Sequence, residues 1–174
     1  MKYENAANLT ADVAPAKKYL ASAGHNRIGF AVANLKNTTM FCTGGESENS
    51  ETNWAWSYSI ADDTWCELTK MNEARFNHGS IALDDKVYAF GGYRRGPGYL
   101  STIEIYDTTM PNDPWDLVHS SAFPKRENPA VSILGHDQVL IMGGNSFGRL
   151  SDVLVFSPKS KTVRKIAEFP QVDV

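Results

Sequence analysis

Four histidines, two cysteines and two adjacent aspartate pairs are the side chains of this 174-residue sequence with the widest chemical repertoire. Nucleophilic catalysis would need a base beside the nucleophile, and a metal would need several ligands converging on one point. Neither signature is written in the chain: Gly-x-Ser-x-Gly and His-Glu-x-x-His do not occur. Asp62-Asp63 and Asp84-Asp85 fall in predicted turns, where aspartate bonds its own backbone. Cys42 and Cys66 lie in apolar, strand-like stretches and are expected to be reduced, packed thiols. Recognition chemistry is concentrated in three unlike loops. "ESENSETNW" carries Glu46, Glu48 and Glu51, "YRRGPGYLS" carries Tyr93, Arg94, Arg95 and Tyr99, and "NSFGRLS" carries Asn145, Phe147 and Arg149. Arginine grips carboxylates through a planar fork, and tyrosine offers apolar area at little entropic cost. The bland alternative is a solvated rim in which the acidic first loop pairs with the basic second one.

What positions these loops is a repeat. Each follows a glycine pair, Gly44-Gly45, Gly91-Gly92 or Gly143-Gly144, and the pairs lie 47 and 52 residues apart. Upstream, "RIGFAVANLKNTTMFCTGG", "NHGSIALDDKVYAFGG" and "NPAVSILGHDQVLIMGG" each read as two short strands around a polar turn. Phe30 to Val32, Val87 to Phe90 and Val139 to Met142 are continuously apolar, as expected of strands buried on both faces. A basic residue precedes each first strand: His25, Arg75 and Arg126. Downstream an aromatic recurs as Tyr58, Tyr106 and Phe156, followed by Trp65, Trp115 and, in the third copy, Val163. His25 and His78 fall near first strands but at different repeat positions, and His119 and His136 fall elsewhere. No metal site is therefore expected.

Composition narrows the class. With 42% apolar and 21% charged residues the chain is globular, and a net charge of -3 disfavours general nucleic-acid binding. No run of 18 apolar residues suggests a membrane helix, and "MKYENAANLTADVAPAKKYLASAG" lacks the apolar core of a secretory signal. Two cysteines are too few for a disulfide framework, so a cytoplasmic protein without cofactor or metal is the expectation.

Two strands, a glycine pair, a loop, an aromatic segment and then tryptophan, at a period near 50, resemble the kelch repeat. The resemblance implies an all-β fold of about three four-stranded antiparallel blades of a β-propeller. The blades would span approximately 25–71, 75–122 and 126–170, within a segment 25–174 that follows a leader, 1–24. The glycines, Tyr58, Tyr106, Phe156, Trp65 and Trp115 would then be scaffold, closing strands and filling the wedges between blades. Closed propellers have at least about four blades, so three form a partial one. A segment of a longer propeller is the first expectation, and two chains closing head to tail is the second. A partner covering the ends is the third. The leader could add an outer strand, with Leu20 standing for Leu68 if Arg27 is laid on Arg75.

The resemblance also implies that the loops after the glycines and before the first strands share one mouth. Kelch-like ligase adaptors bind peptides there. Carried over by position, the candidates are Arg27, Asn77 and Asn128 before the first strands, and Tyr93, Arg95 and Asn145 after the glycines, with Arg94 adjacent. The expected function is a protein–protein interaction module that holds an acidic or polar segment of another protein. A ubiquitin-ligase adaptor role is an open expectation, since the leader does not read as a BTB-type region. The alternative is part of a kelch-type propeller enzyme, an oxidase or sugar mutarotase, whose site is completed by further blades. Fold alone does not decide between them.

Overall fold

A computed structural model describes residues 27–47 and 50–170. Leu20, His25, the leader and Glu48 lie outside the described residues. Every regular element among the described residues is a strand or bridge, and three four-stranded antiparallel sheets dominate. The first holds β1 (Ala31–Leu35), β2 (Thr39–Thr43), β5 (Ala55–Ser59) and β6 (Thr64–Glu67) in that order. The small hairpin β3 (Glu46–Ser47) and β4 (Ser50–Glu51) occupies its post-glycine loop. The second holds β7 (Gly79–Leu83), β8 (Lys86–Phe90), β11 (Thr102–Asp107) and β12 (Asp116–His119). Its loop forms the hairpin β9 (Tyr93–Arg94) and β10 (Gly98–Tyr99). The third holds β13 (Ala130–Leu134), β14 (Gln138–Met142), β15 (Asp152–Ser157) and β16 (Thr162–Glu168). These are three blades of a partial propeller.

The period of two in a strand explains the continuous apolar runs. On β8, Val87 and Ala89 join a core with Ala33, Phe41, Tyr106 and Trp115, which lies against the first blade. The alternate residues Tyr88 and Phe90 join Ile103, Ile141, Leu154 and Phe156 in a second core against the third blade. The middle blade is thus apolar on both sides because it is covered on both sides. Among the described residues, the first blade is covered on one. Ala31 and Ala33 are buried against the second blade, whereas Phe30 and Val32 are each 47% exposed. Cys66 departs from expectation: it is an exposed free thiol on β6, a strand whose residues are mostly exposed.

The glycine pairs mark one recurring joint. The amides of Gly44, Gly91 and Gly143 donate to the carbonyls of Trp54, Thr102 and Asp152 at 2.8, 3.0 and 3.0 Å. Gly45 and Gly92 donate across the seam to Arg75 and Arg126 of the next blade, at 2.9 and 2.8 Å. Gly44 and Gly91 both have φ +62°, and a Cβ there would lie 2.3 and 2.5 Å from those arginines' carbonyl oxygens. Left-handed backbone and close approach of the next blade together demand glycine.

This joint corrects the repeat register. The bridges Ile28–Glu46, Phe76–Tyr93 and Glu127–Asn145 place Arg27, not His25, in line with Arg75 and Arg126. Gly29 is then the counterpart of Asn77 and Asn128. All three have positive φ, at +65°, +54° and +49°. Asparagine and glycine are the residues that tolerate this conformation, so backbone geometry accounts for both asparagines.

Candidate functional site

The residues proposed for binding gather at the glycine end of the blades, where two further arginines, Arg75 and Arg126, are structural. Arg75 is fully buried and donates to the carbonyl of Gly91 at 2.6 Å and to Glu104 at 2.7 Å. Glu104, also fully buried, accepts from the backbone amides of Asn72 and Glu73 as well. Arg126 repeats the arrangement, reaching the Gly143 carbonyl at 2.9 Å and forking onto both oxygens of Asp152 at 2.9 and 2.7 Å. Each arginine thereby ties the end of the second strand to the third. The signal was available in sequence: Glu104 interrupts the apolar run from Ile103 to Tyr106 and Asp152 directly precedes the apolar run Val153 to Phe156, and a buried charge needs a partner.

Arg27 breaks the pattern. In its blade the position of Thr102 and Asp152 is held by Trp54, and the Arg27 guanidinium lies over that indole, 4.5 Å from the ring centre. A cation–π contact has replaced a carboxylate. The Nη2 atom of Arg27 is buried without a hydrogen-bond partner among the described residues. Burial lowers its affinity for the proton from the ordinary arginine value. Arg27 borders a cavity of about 470 Å³, together with Ser47, Ser50, Glu51, Asn53 and Trp54.

The charged loops largely answer each other. Arg95 meets Glu46 at 2.6 Å, joining the second blade's hairpin to the first blade's. Asn77 is likewise engaged, its amide donating to Glu127 at 3.0 Å, while Asn128 donates its backbone N–H to the Asn77 carbonyl at 2.6 Å. Asn145 reaches the other oxygen of Glu127 at 3.4 Å and the Tyr99 hydroxyl at 3.5 Å.

What sequence reasoning missed is an aromatic row. Phe76 packs on Tyr93 with ring centres 5.5 Å apart, Tyr93 on Tyr99 at 5.2 Å, and Tyr99 on Phe147 at 5.0 Å. The last contact crosses from the second blade to the third. Phe147 is 91% exposed and sits at φ +55°, a conformation that disfavours a bulky side chain. The tyrosines and Phe147 were visible in the loops, but the β9–β10 hairpin aligns Tyr93 with Tyr99 and only the approach of the third blade brings Phe147 to them. Arg94, half-buried, lies in the same hairpin as Tyr93.

The chain is similar in sequence to known kelch-like proteins. Kelch-like protein 7 of Rattus norvegicus is 33% identical over 104 residues, covering 59% of this chain and 17% of that protein. Kelch-like protein 23 of Homo sapiens is 31% identical over 108 residues, 61% of this chain and 18% of its own length. Kelch-like protein 6 of Homo sapiens is 26% identical over 137 residues, 76% and 20%. The chain therefore spans about a fifth of the length of the curated relatives it matches. Residues 11–171 match the KLHDC2/KLHL20/DRC7 Kelch-repeats domain, and with three blades joined at glycine pairs this chain belongs to that kelch-repeat family.

Proposed function

We propose that this chain is a protein-interaction module whose glycine-end rim holds a segment of another protein. The observation that carries the reading is Phe147, 91% exposed at the end of a four-ring aromatic row. Aromatic surface displayed on loops above a rigid scaffold is the usual material of a recognition site. The partner segment would lay an apolar side chain against Tyr99 and Phe147 and direct a carboxylate or amide toward Arg27. Arg95, neutralised by Glu46, contributes less than its charge suggests, which shifts the expected partner from simply acidic to apolar with one polar anchor.

Peptide-display selection on the whole chain tests this. Selected peptides should bind Phe147→Ala and Arg27→Ala at least tenfold more weakly, with thermal stability unchanged for Phe147→Ala. Peptides that bind both variants as well as the parent would refute the site. The same experiment with Arg95→Ala should show a change of less than about threefold, in keeping with an exposed pair worth about 0–1 kcal/mol.

A further inference from the structure

On the rim opposite the glycine pairs, the seam between the second and third blades opens into a cavity of about 400 Å³. That is within the roughly 300–1,000 Å³ of small-ligand sites. Ile105, Met110, Pro114 and Pro158 give it apolar surface. Tyr88 borders it from β8, although the residue as a whole is only 2% exposed. Its ring is fixed edge-on against Phe156 at 5.9 Å, and its hydroxyl finds no hydrogen-bond partner among the described residues. Burial first, and then the charges of Asp84 and Asp107, push that hydroxyl up to about 12. The side chain is neutral and largely buried, with its hydroxyl at the cavity wall among carboxylates.

The charges around the cavity do not cancel. Its three lysines are each engaged: Lys86 with Asp107, Lys161 with Asp116, and Lys159 with Asp137 outside the cavity. Asp84 and Asp113, which also line it, have no cation within 4.0 Å among the described residues. An anionic ligand would have to strip a lysine from its carboxylate, whereas a cation meets two carboxylates already waiting.

We propose that this cavity is a second binding site, separate from the aromatic rim, for an organic cation on an apolar stem. The chemistry is that of a lysine or arginine side chain from a partner protein, or of a free polyamine. The cationic head faces Asp84 and Asp113, the Tyr88 hydroxyl accepts one of its N–H groups, and the stem lies on Ile105 and Met110.

The test is amide NMR on the full chain, titrated separately with N-acetyl-argininamide and with spermidine. Saturable shifts centred on Asp84, Tyr88 and Asp113 are expected with at least one probe, weakening as salt is raised. Asp84→Asn combined with Asp113→Asn should lower affinity for that probe at least tenfold without altering the melting temperature. Asparagine accepts the positive φ of residue 84, so the turn survives the change. Tyr88→Phe keeps the ring packing and should weaken binding a few-fold. Tighter binding of the arginine probe assigns the site to a protein side chain, and tighter binding of spermidine assigns it to a free polyamine. Absence of shifts with both probes, or shifts that persist in the double asparagine variant, overturns the proposal. Phe147→Ala, on the opposite rim, should leave the titration unchanged, so this site and the aromatic rim fail or succeed independently.

Discussion

His78 shows how a single side chain reports on a seam. It is buried at the start of β7, with Nε2 2.8 Å from the Thr43 hydroxyl of the neighbouring blade. Burial first, and then the charge of Arg75, pull its pKa down to about 3. The unfolded chain takes up that proton near pH 6.5, and the folded chain does so only near 3. Stability from this residue is therefore complete above about pH 6.5 and is lost as the pH falls toward 3, by about 1.4 kcal/mol per unit. Urea midpoints measured from pH 7 to 4.5 should show this slope in the parent and a flatter one in His78→Gln. Parallel curves would mean the histidine is accessible to protons in the fold. The glycines allow a second comparison at this scale. Gly91→Ala drives a Cβ into the Arg126 carbonyl, whereas at Gly143 the nearest atom is 3.2 Å away. Both substitutions place alanine at positive φ, which costs about 1–2 kcal/mol, so Gly91→Ala should exceed Gly143→Ala by a clear margin in chemical denaturation.

At the scale of elements, equivalent side chains differ in weight because their blades have different neighbours. Trp115, just before β12, is 3% exposed, stacks on Tyr106 at 5.2 Å and donates its indole N–H to the Thr69 carbonyl of the first blade at 2.7 Å. Trp65 on β6 packs on Tyr58 at 5.0 Å but is only half-buried. Trp115→Ala should lower stability by about 3–5 kcal/mol, and Trp65→Ala by substantially less. Equal losses would show that Trp65 is covered as completely as its counterpart. In the third blade Val163 takes the tryptophan's place opposite Phe156 and is 7% exposed, so a smaller side chain suffices there. The tryptophan pattern was legible in the sequence. Its energetic ranking was not, because burial depends on which blade lies against which face.

At the scale of the whole molecule the two outer faces decide behaviour. On the first blade Ile28, Phe30 and Val32 are 66%, 47% and 47% exposed, and on the third Leu134 is 38% exposed. Apolar surface of this kind calls for a cover. The 174-residue chain prepared alone is expected to associate, giving a sedimentation mass above that of one chain, and Phe30→Ser with Val32→Ser should reduce the association. A single-chain mass together with one cooperative unfolding transition would remove the argument for a missing cover, whether further blades or a second copy.

The repeat could be read from the chain alone, and with it, through the resemblance to kelch repeats, the all-β class. Packing between like units forces like residues to recur at like spacing, and recurrence needs no coordinates to be seen. In the first copy His25 was set in line with Arg75, two residues out of register, with Arg27 on Arg75 only as the alternative, and the bridge from Ile28 to Glu46 shows that Arg27 occupies the joint. The binding surface was legible as residue types and illegible as an arrangement. The pairing of the acidic first loop with the basic second one was open to the sequence and is met by Arg95 and Glu46, but nothing in one dimension says that the rings of Tyr93, Tyr99 and Phe147 form a row or that Asp84 and Asp113 border one cavity. The contacts of Tyr99 with Phe147 and of Arg95 with Glu46 depend on how one blade is set against the next, and that placement joins residues about fifty positions apart whose spacing in the chain carries no record of their meeting.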